Sequence, residues 1–113
     1  MKIFKDGHKT GITPPNHFGG LNVLDIVPLA GSDFSVQVSK APKGGGGELH
    51  HHDDLIQVFY IVDGALTFDT GKERFTLQKG EAVVFEQYDP HYTLNEQEQE
   101  CTSLVISCRI PKN

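Results

Sequence analysis

The stretch GGGGELHHHDDLIQVFYIVDG, residues 44–64, decides how the rest of the chain is read. In a strand, side chains two apart share a face. His50 and His52 are therefore expected to point together into one cavity, while His51 points away. Two imidazoles on one face form a ready metal chelate. Asp53 and Asp54 make a short acidic turn. Leu55–Val62 is then apolar except at Gln57. An unpaired buried amide costs roughly 1–3 kcal/mol, so Gln57 needs a partner, and a metal or a ligand on it would supply one. Glu48 shares the strand parity of His50 and stands as a reserve ligand.

Four glycines, Gly44–Gly47, precede the histidines. A phosphate-binding loop would be followed by a helix and a Lys-Ser or Lys-Thr pair. A histidine strand follows instead, so the run is expected to be a flexible loop at the mouth of a barrel. Outward from this centre the chain reads as strands over Lys2–Phe4, Leu21–Val27, Asp33–Ser39, Leu49–His52, Leu55–Val62, Ala65–Asp69, Glu73–Leu77, Glu81–Phe85, His91–Asn95 and Thr102–Ile110. Turn residues separate them at Pro14-Pro15, Gly31-Ser32, Asp63-Gly64, Thr70-Gly71-Lys72 and Lys79-Gly80. Asp63-Gly64, between two apolar strands, is the strongest hairpin signal. Thr10–Gly20 reads as an irregular loop, and Asn95–Glu100 as a solvated turn. Phe34, Val36 and Val38 alternate with Ser35, Gln37 and Ser39. Many short strands and no amphipathic helix of ordinary length predict an all-β sandwich or barrel.

A second histidine, His91, follows Asp89-Pro90 and opens a strand with Thr93 and Asn95 on its own face. Together the two segments resemble the cupin superfamily. Its first motif runs here as Gly44, five residues, His50-His51-His52, four residues, Gln57, six residues and Gly64. Every spacing fits, and Gln57 stands where the motif has Glu. Its second motif runs as Gly80, five residues, Glu86-Gln87-Tyr88, two residues, His91, three residues and Asn95. Glu86 and Tyr88 replace Pro and Gly. Fifteen residues separate Gly64 from Gly80, the compact spacing of microbial members. The resemblance implies a double-stranded β-helix, the cupin jelly-roll barrel, over residues 1–113 as one domain. It also implies one divalent metal ion, Fe, Mn, Ni, Zn, Co or Cu, held by His50, His52, Gln57 and His91. His8, His17 and His51 are expected to be structural or exposed.

The chain has 113 residues and a formal net charge of −5, with a pI of about 5.6. That balance predicts no nucleic-acid partner and no anionic membrane partner, because both need clustered Lys and Arg. Cys101 and Cys108 lie in one strand about 23 Å apart, too far for a disulfide. Their parities are opposite, so at most one faces the cavity. The N-terminus lacks the apolar core of a signal peptide, which makes a cytoplasmic protein the expectation. Leu55–Val62 is apolar on both faces, which predicts cover on both sides, by the core and by a second copy in a homodimer.

Three neutral imidazoles and a neutral amide would leave the full charge on the metal, favouring a small-molecule anionic ligand or substrate. Tyr88 is the expected catalytic side chain, to gate the substrate or hydrogen-bond it. Two functions fit: a metalloenzyme of dioxygenase or isomerase/lyase type, and a non-catalytic module that senses a small ligand or metal. Cupins in transcription regulators carry a helix-turn-helix domain, and this sequence shows none.

Overall fold

The structure is a computed structural model that describes residues 1–5, 9–30 and 32–111. His8 and Gly31 of the expected Gly31-Ser32 turn lie outside them. The described residues form ten strands and no helix. In chain order these are β1 (His17–Phe18), β2 (Asn22–Val27), β3 (Phe34–Ala41), β4 (Gly46–His50), β5 (Leu55–Asp63), β6 (Ala65–Asp69), β7 (Arg74–Gln78), β8 (Ala82–Phe85), β9 (His91–Leu94) and β10 (Cys101–Arg109). They build two five-stranded antiparallel sheets, ordered β1-β4-β9-β6-β7 and β2-β3-β10-β5-β8. Facing each other, the sheets make the jelly-roll double-stranded β-helix. Among the described residues no helix is long and apolar enough to cross a membrane.

Four expectations need correction. Lys2–Phe4 pairs with nothing as a strand; Ile3 and Phe4 are exposed. The Thr10–Gly20 loop contains β1 and an isolated bridge from Ile12 to Val23. Asp63-Gly64 does not close a hairpin, because β5 and β6 lie in different sheets. Gly64 is instead a corner: φ is +81°, and a Cβ there would lie 2.7 Å from the Glu100 carbonyl oxygen. Both a hairpin and a corner ask for positive φ, so local turn chemistry does not separate them. Finally, the glycine run is no flexible loop. Gly46 and Gly47 are buried in β4, and the Gly44 N–H bonds the Asn95 carbonyl at 2.8 Å. A Cβ on Gly46 would meet the Thr93 carbonyl oxygen at 2.1 Å, so β4 and β9 approach as closely as they do only without side chains here.

An apolar cluster of Leu21, Ala41, Ile61, Leu66, Phe68, Phe85 and Cys101 holds the sheets together. Phe59, Phe75 and Val83 pack on it. Cys101 faces in and Cys108 out, as their parity requires; burial pushes the Cys101 thiol up to about 11. Asn95 is fully buried. Its Nδ2 donates to the carbonyls of Ala41 and Gln99, both at 2.8 Å, and its Oδ1 accepts the Gln97 N–H. It therefore locks the turn after β9 to the end of β3, while residues 96–100 are exposed.

The β2-β3-β10-β5-β8 sheet carries apolar residues on both faces: Ala41, Ile61, Phe85, Cys101 and Val105 are buried on the inner one, with serines among them. Ser35, Ser39, Ser103 and Ser107 are buried on its inner face. The outer face carries rows of apolar residues in register. One row runs Leu24, Val38, Leu104, Tyr60, Ala82, and another Val36, Ile106, Val58, Val84.

Candidate metal centre

His50 ends β4 and His91 begins β9, and the two are direct partners in the ladder. The register of β4 shifts between Gly47 and His50, and the chain leaves the sheet at His51. His52 returns to the same side, held by its carbonyl, which accepts the Tyr88 N–H at 2.8 Å. The three rings converge: centroids are 4.9 Å apart for His50 and His52, 4.5 Å for His50 and His91, and 5.9 Å for His52 and His91. One nitrogen from each lies within 4.8 Å of the others.

Second contacts orient the rings. His50 Nδ1 lies 2.8 Å from the Glu48 carbonyl, and His91 Nδ1 lies 3.2 Å from that of Asp89. A carbonyl only accepts, so each Nδ1 carries the proton and each Nε2 keeps its lone pair. His91 is 1% exposed and stacks on Phe85 at 4.1 Å. Burial, reinforced by His50, lowers its pKa to about 4. Burial and then His50 also lower that of His52, against the opposing pull of Asp54 and Gln57. Neutral imidazoles are the form that binds metal ions.

Gln57 points inward from β5. Its Nε2 donates to Ser107 Oγ at 3.0 Å, which leaves the amide oxygen toward the histidines. Three buried side-chain atoms have no hydrogen-bond partner: His52 Nε2, His91 Nε2 and Gln57 Oε1. Leaving each so costs about 1–3 kcal/mol. A cation can satisfy such a cluster together, and the donor set fits a divalent transition metal. These residues line a cavity of about 180 Å³, the volume of about six waters in bulk.

Other expected site residues fall elsewhere. Tyr88 is 59% exposed, does not line the cavity, and has its ring 6.4 Å from that of the outward His51. Its backbone is what reaches the site, and it does so at φ +69°. Tyr88 thus keeps the left-handed conformation of the motif's glycine at a cost of about 1–2 kcal/mol. Glu48 is exposed and orients His50 through its carbonyl. One residue was missed: His17, expected to be structural, lines the cavity with its ring 6.3 Å from that of His50. Nothing in local spacing marks it, because β1 is two residues long and pairs with the glycine run.

Two antiparallel sheets enclosing three inward histidines define a jelly-roll barrel with a site able to hold a metal ion. A family model described as the Cupin domain matches residues 37–107, more than half of the chain, and the protein belongs to that family. No curated protein matches by sequence. Among solved structures the chain is similar to a predicted oxalate decarboxylase from Thermotoga maritima, at 13% identity and TM-score 0.82, covering 96% of this chain and all of that one. It is similar to the polyketide cyclase RemF from Streptomyces resistomycificus, at 18% identity and TM-score 0.79, covering 98% and 82%. It is also similar to the cupin domain of an XRE-family transcriptional regulator from Enterobacter cloacae, at 18% identity and TM-score 0.71, covering 81% and 98%. At these identities the likeness is one of fold.

Proposed function

We propose that this cupin holds one divalent metal ion at His50, His52 and His91, with Gln57 as a weaker oxygen donor, and acts on a small organic anion bound to that ion. The observation that carries the reading is the set of buried polar atoms without partners on His52, His91 and Gln57, all lining one cavity beside His50. When bound, the ion supplies a positive charge that polarises an oxygen ligand. The chain's residues do the rest. His50 and His91 are held in one tautomer by backbone carbonyls. Phe59 and Phe85 pack around His91 and keep water from its inner side. Among the described residues no carboxylate lines the cavity wall itself, which leaves room for an anionic ligand beside the histidines. Elemental analysis of untagged protein and of His50→Ala and His91→Ala tests the site; full metal occupancy in both variants would overturn it.

An enzyme of dioxygenase or isomerase/lyase type is the favoured class. The likeness to the predicted decarboxylase and to the polyketide cyclase supports it. The likeness to a regulator's cupin domain supports a second reading, a ligand or metal sensor. Keto acids, diketones, thiols and sugar acids screened anaerobically and in air, with Fe(II) and then Zn(II), separate them. Turnover with Zn(II) without oxygen uptake discards the dioxygenase, and metal-dependent binding without turnover selects the sensor.

We also propose a homodimer through the outer face of the β2-β3-β10-β5-β8 sheet. Phe34, Tyr60, Val62 and Val84 are each more than 40% exposed there, and half-buried Val36, Val58, Leu104 and Ile106 lie between them. The exposed apolar area is on the order of 500 Å², at the upper end of what a monomer leaves open and the size of patch that marks an interaction site. A second copy presents the same uncharged rows and is self-complementary.

A further inference from the structure

We propose that His17 reads the ligand: its Nε2 accepts a hydrogen bond from a hydroxyl of the anion held at the three-histidine site, so the ligand is a small hydroxylated anion such as a hydroxy acid. The proposal rests on the metal-bound anion above and adds which anion the site selects.

His17 is prepared as His50 and His91 are. Its Nδ1 lies 2.8 Å from the carbonyl of Pro15, two residues back, as theirs lie against Glu48 and Asp89. In the neutral ring Nδ1 then carries the hydrogen and Nε2 is a bare acceptor. The ring stands at the wall of the same cavity. The chain makes room for it: a Cβ on Gly47 would lie 2.8 Å from His17 Cδ2 and 2.9 Å from Nε2. Gly47 is thus bare where the imidazole rests, which gives the glycine run a task beyond the close approach at Gly46.

His17 is nonetheless no fourth member of the cluster. The nitrogens that lie within 4.8 Å of one another belong to His50, His52 and His91 alone among the described residues, and His17 sits 6.3 Å from His50, ring to ring. Its ring lines the same cavity, within reach of a group carried by whatever the cluster binds. An anionic oxygen on the ion offers no hydrogen to that lone pair, whereas a neighbouring hydroxyl does.

The test uses Zn(II)-loaded protein and the matched pairs glycolate and acetate, lactate and propionate, glycerate and 3-hydroxypropionate. Elemental analysis reads the metal, and calorimetry reads each affinity. Wild type is expected to bind the 2-hydroxylated member of at least one pair about tenfold more tightly. His17→Phe keeps a ring on Gly47 without the acceptor. It should bring that pair to near parity, leaving metal content and the deoxy affinity unchanged. His17→Gln, whose amide oxygen accepts, should recover part of the preference, and Gly47→Ala should lose it by displacing the ring. A wild type that discriminates in no pair overturns the proposal. So does His17→Phe that weakens both members equally, as it would if His17 held only a metal-bound water, or that loses the metal. Wild type that takes up no metal overturns the reading beneath it.

Discussion

Acid should unfold the metal-free protein through His91. The imidazole is 1% exposed, lies between Phe85 and Phe59, and faces His50. Its pKa falls from 6.5 to about 4 on folding. Above pH 6.5 the ring is neutral in both states and its contribution is complete. Between 6.5 and about 4 the unfolded chain binds a proton that the folded chain refuses, so stability falls with pH. Below about 4 both states are protonated and the loss is finished. A drop of this size corresponds to about 3 kcal/mol, a sizeable part of the 5–15 kcal/mol of a typical domain. His52 is shifted the same way and adds to the slope.

The assay is urea unfolding of chelator-treated protein from pH 7.5 to 4, for wild type and for His91→Gln. Wild type should lose roughly 3 kcal/mol or more over that window. The variant lacks the titrating ring and should lose correspondingly less. Parallel curves for the two proteins would refute the reasoning, because they would place the acid sensitivity in the carboxylates instead.

Four further outcomes follow from the geometry. Gly46→Ala drives a Cβ onto the Thr93 carbonyl and should destabilise by about 3 kcal/mol or more, whereas Gly47→Ala, whose nearest neighbours are atoms of the His17 ring, should cost under about 1 kcal/mol in urea unfolding. Asn95→Ala removes three hydrogen bonds from a fully buried side chain and should cost about 3 kcal/mol by the same measurement. Gln57→Glu should tighten metal binding at least about tenfold in chelator competition by adding a charged donor, and should lower the urea midpoint of metal-free protein; unchanged metal affinity would place Gln57 off the ion. Val58→Lys, at the centre of the outer rows, should convert the dimer into a 12.5 kDa particle by light scattering; wild type already of that mass would exclude the dimer.

Strand parity was enough to separate Cys101 from Cys108, which lie in one regular strand; it fails around His50, where Glu48 shares its parity and is exposed, and where His52 joins it only after the chain has left β4. Parity divides a strand into two faces without saying which is inside. In β3 the apolar set Phe34, Val36 and Val38 faces out and the serines face in. That choice depends on what the barrel encloses and what covers it, a polar cavity on one side and the proposed second copy on the other. The motif resemblance placed His91 opposite His50 but assigned Tyr88 by its side chain, although the chain uses its backbone there. His17 and Gly47 fail differently. Neither has a role alone: the glycine is empty because a ring some thirty residues earlier occupies its place, and the ring reaches the cavity because the glycine is empty. Such pairing between strands distant in sequence leaves no periodicity in either segment. A glycine run that sequence alone reads as a flexible mouth is therefore resolved only by the partner strand, and in this chain that strand brings a fourth histidine to the cavity.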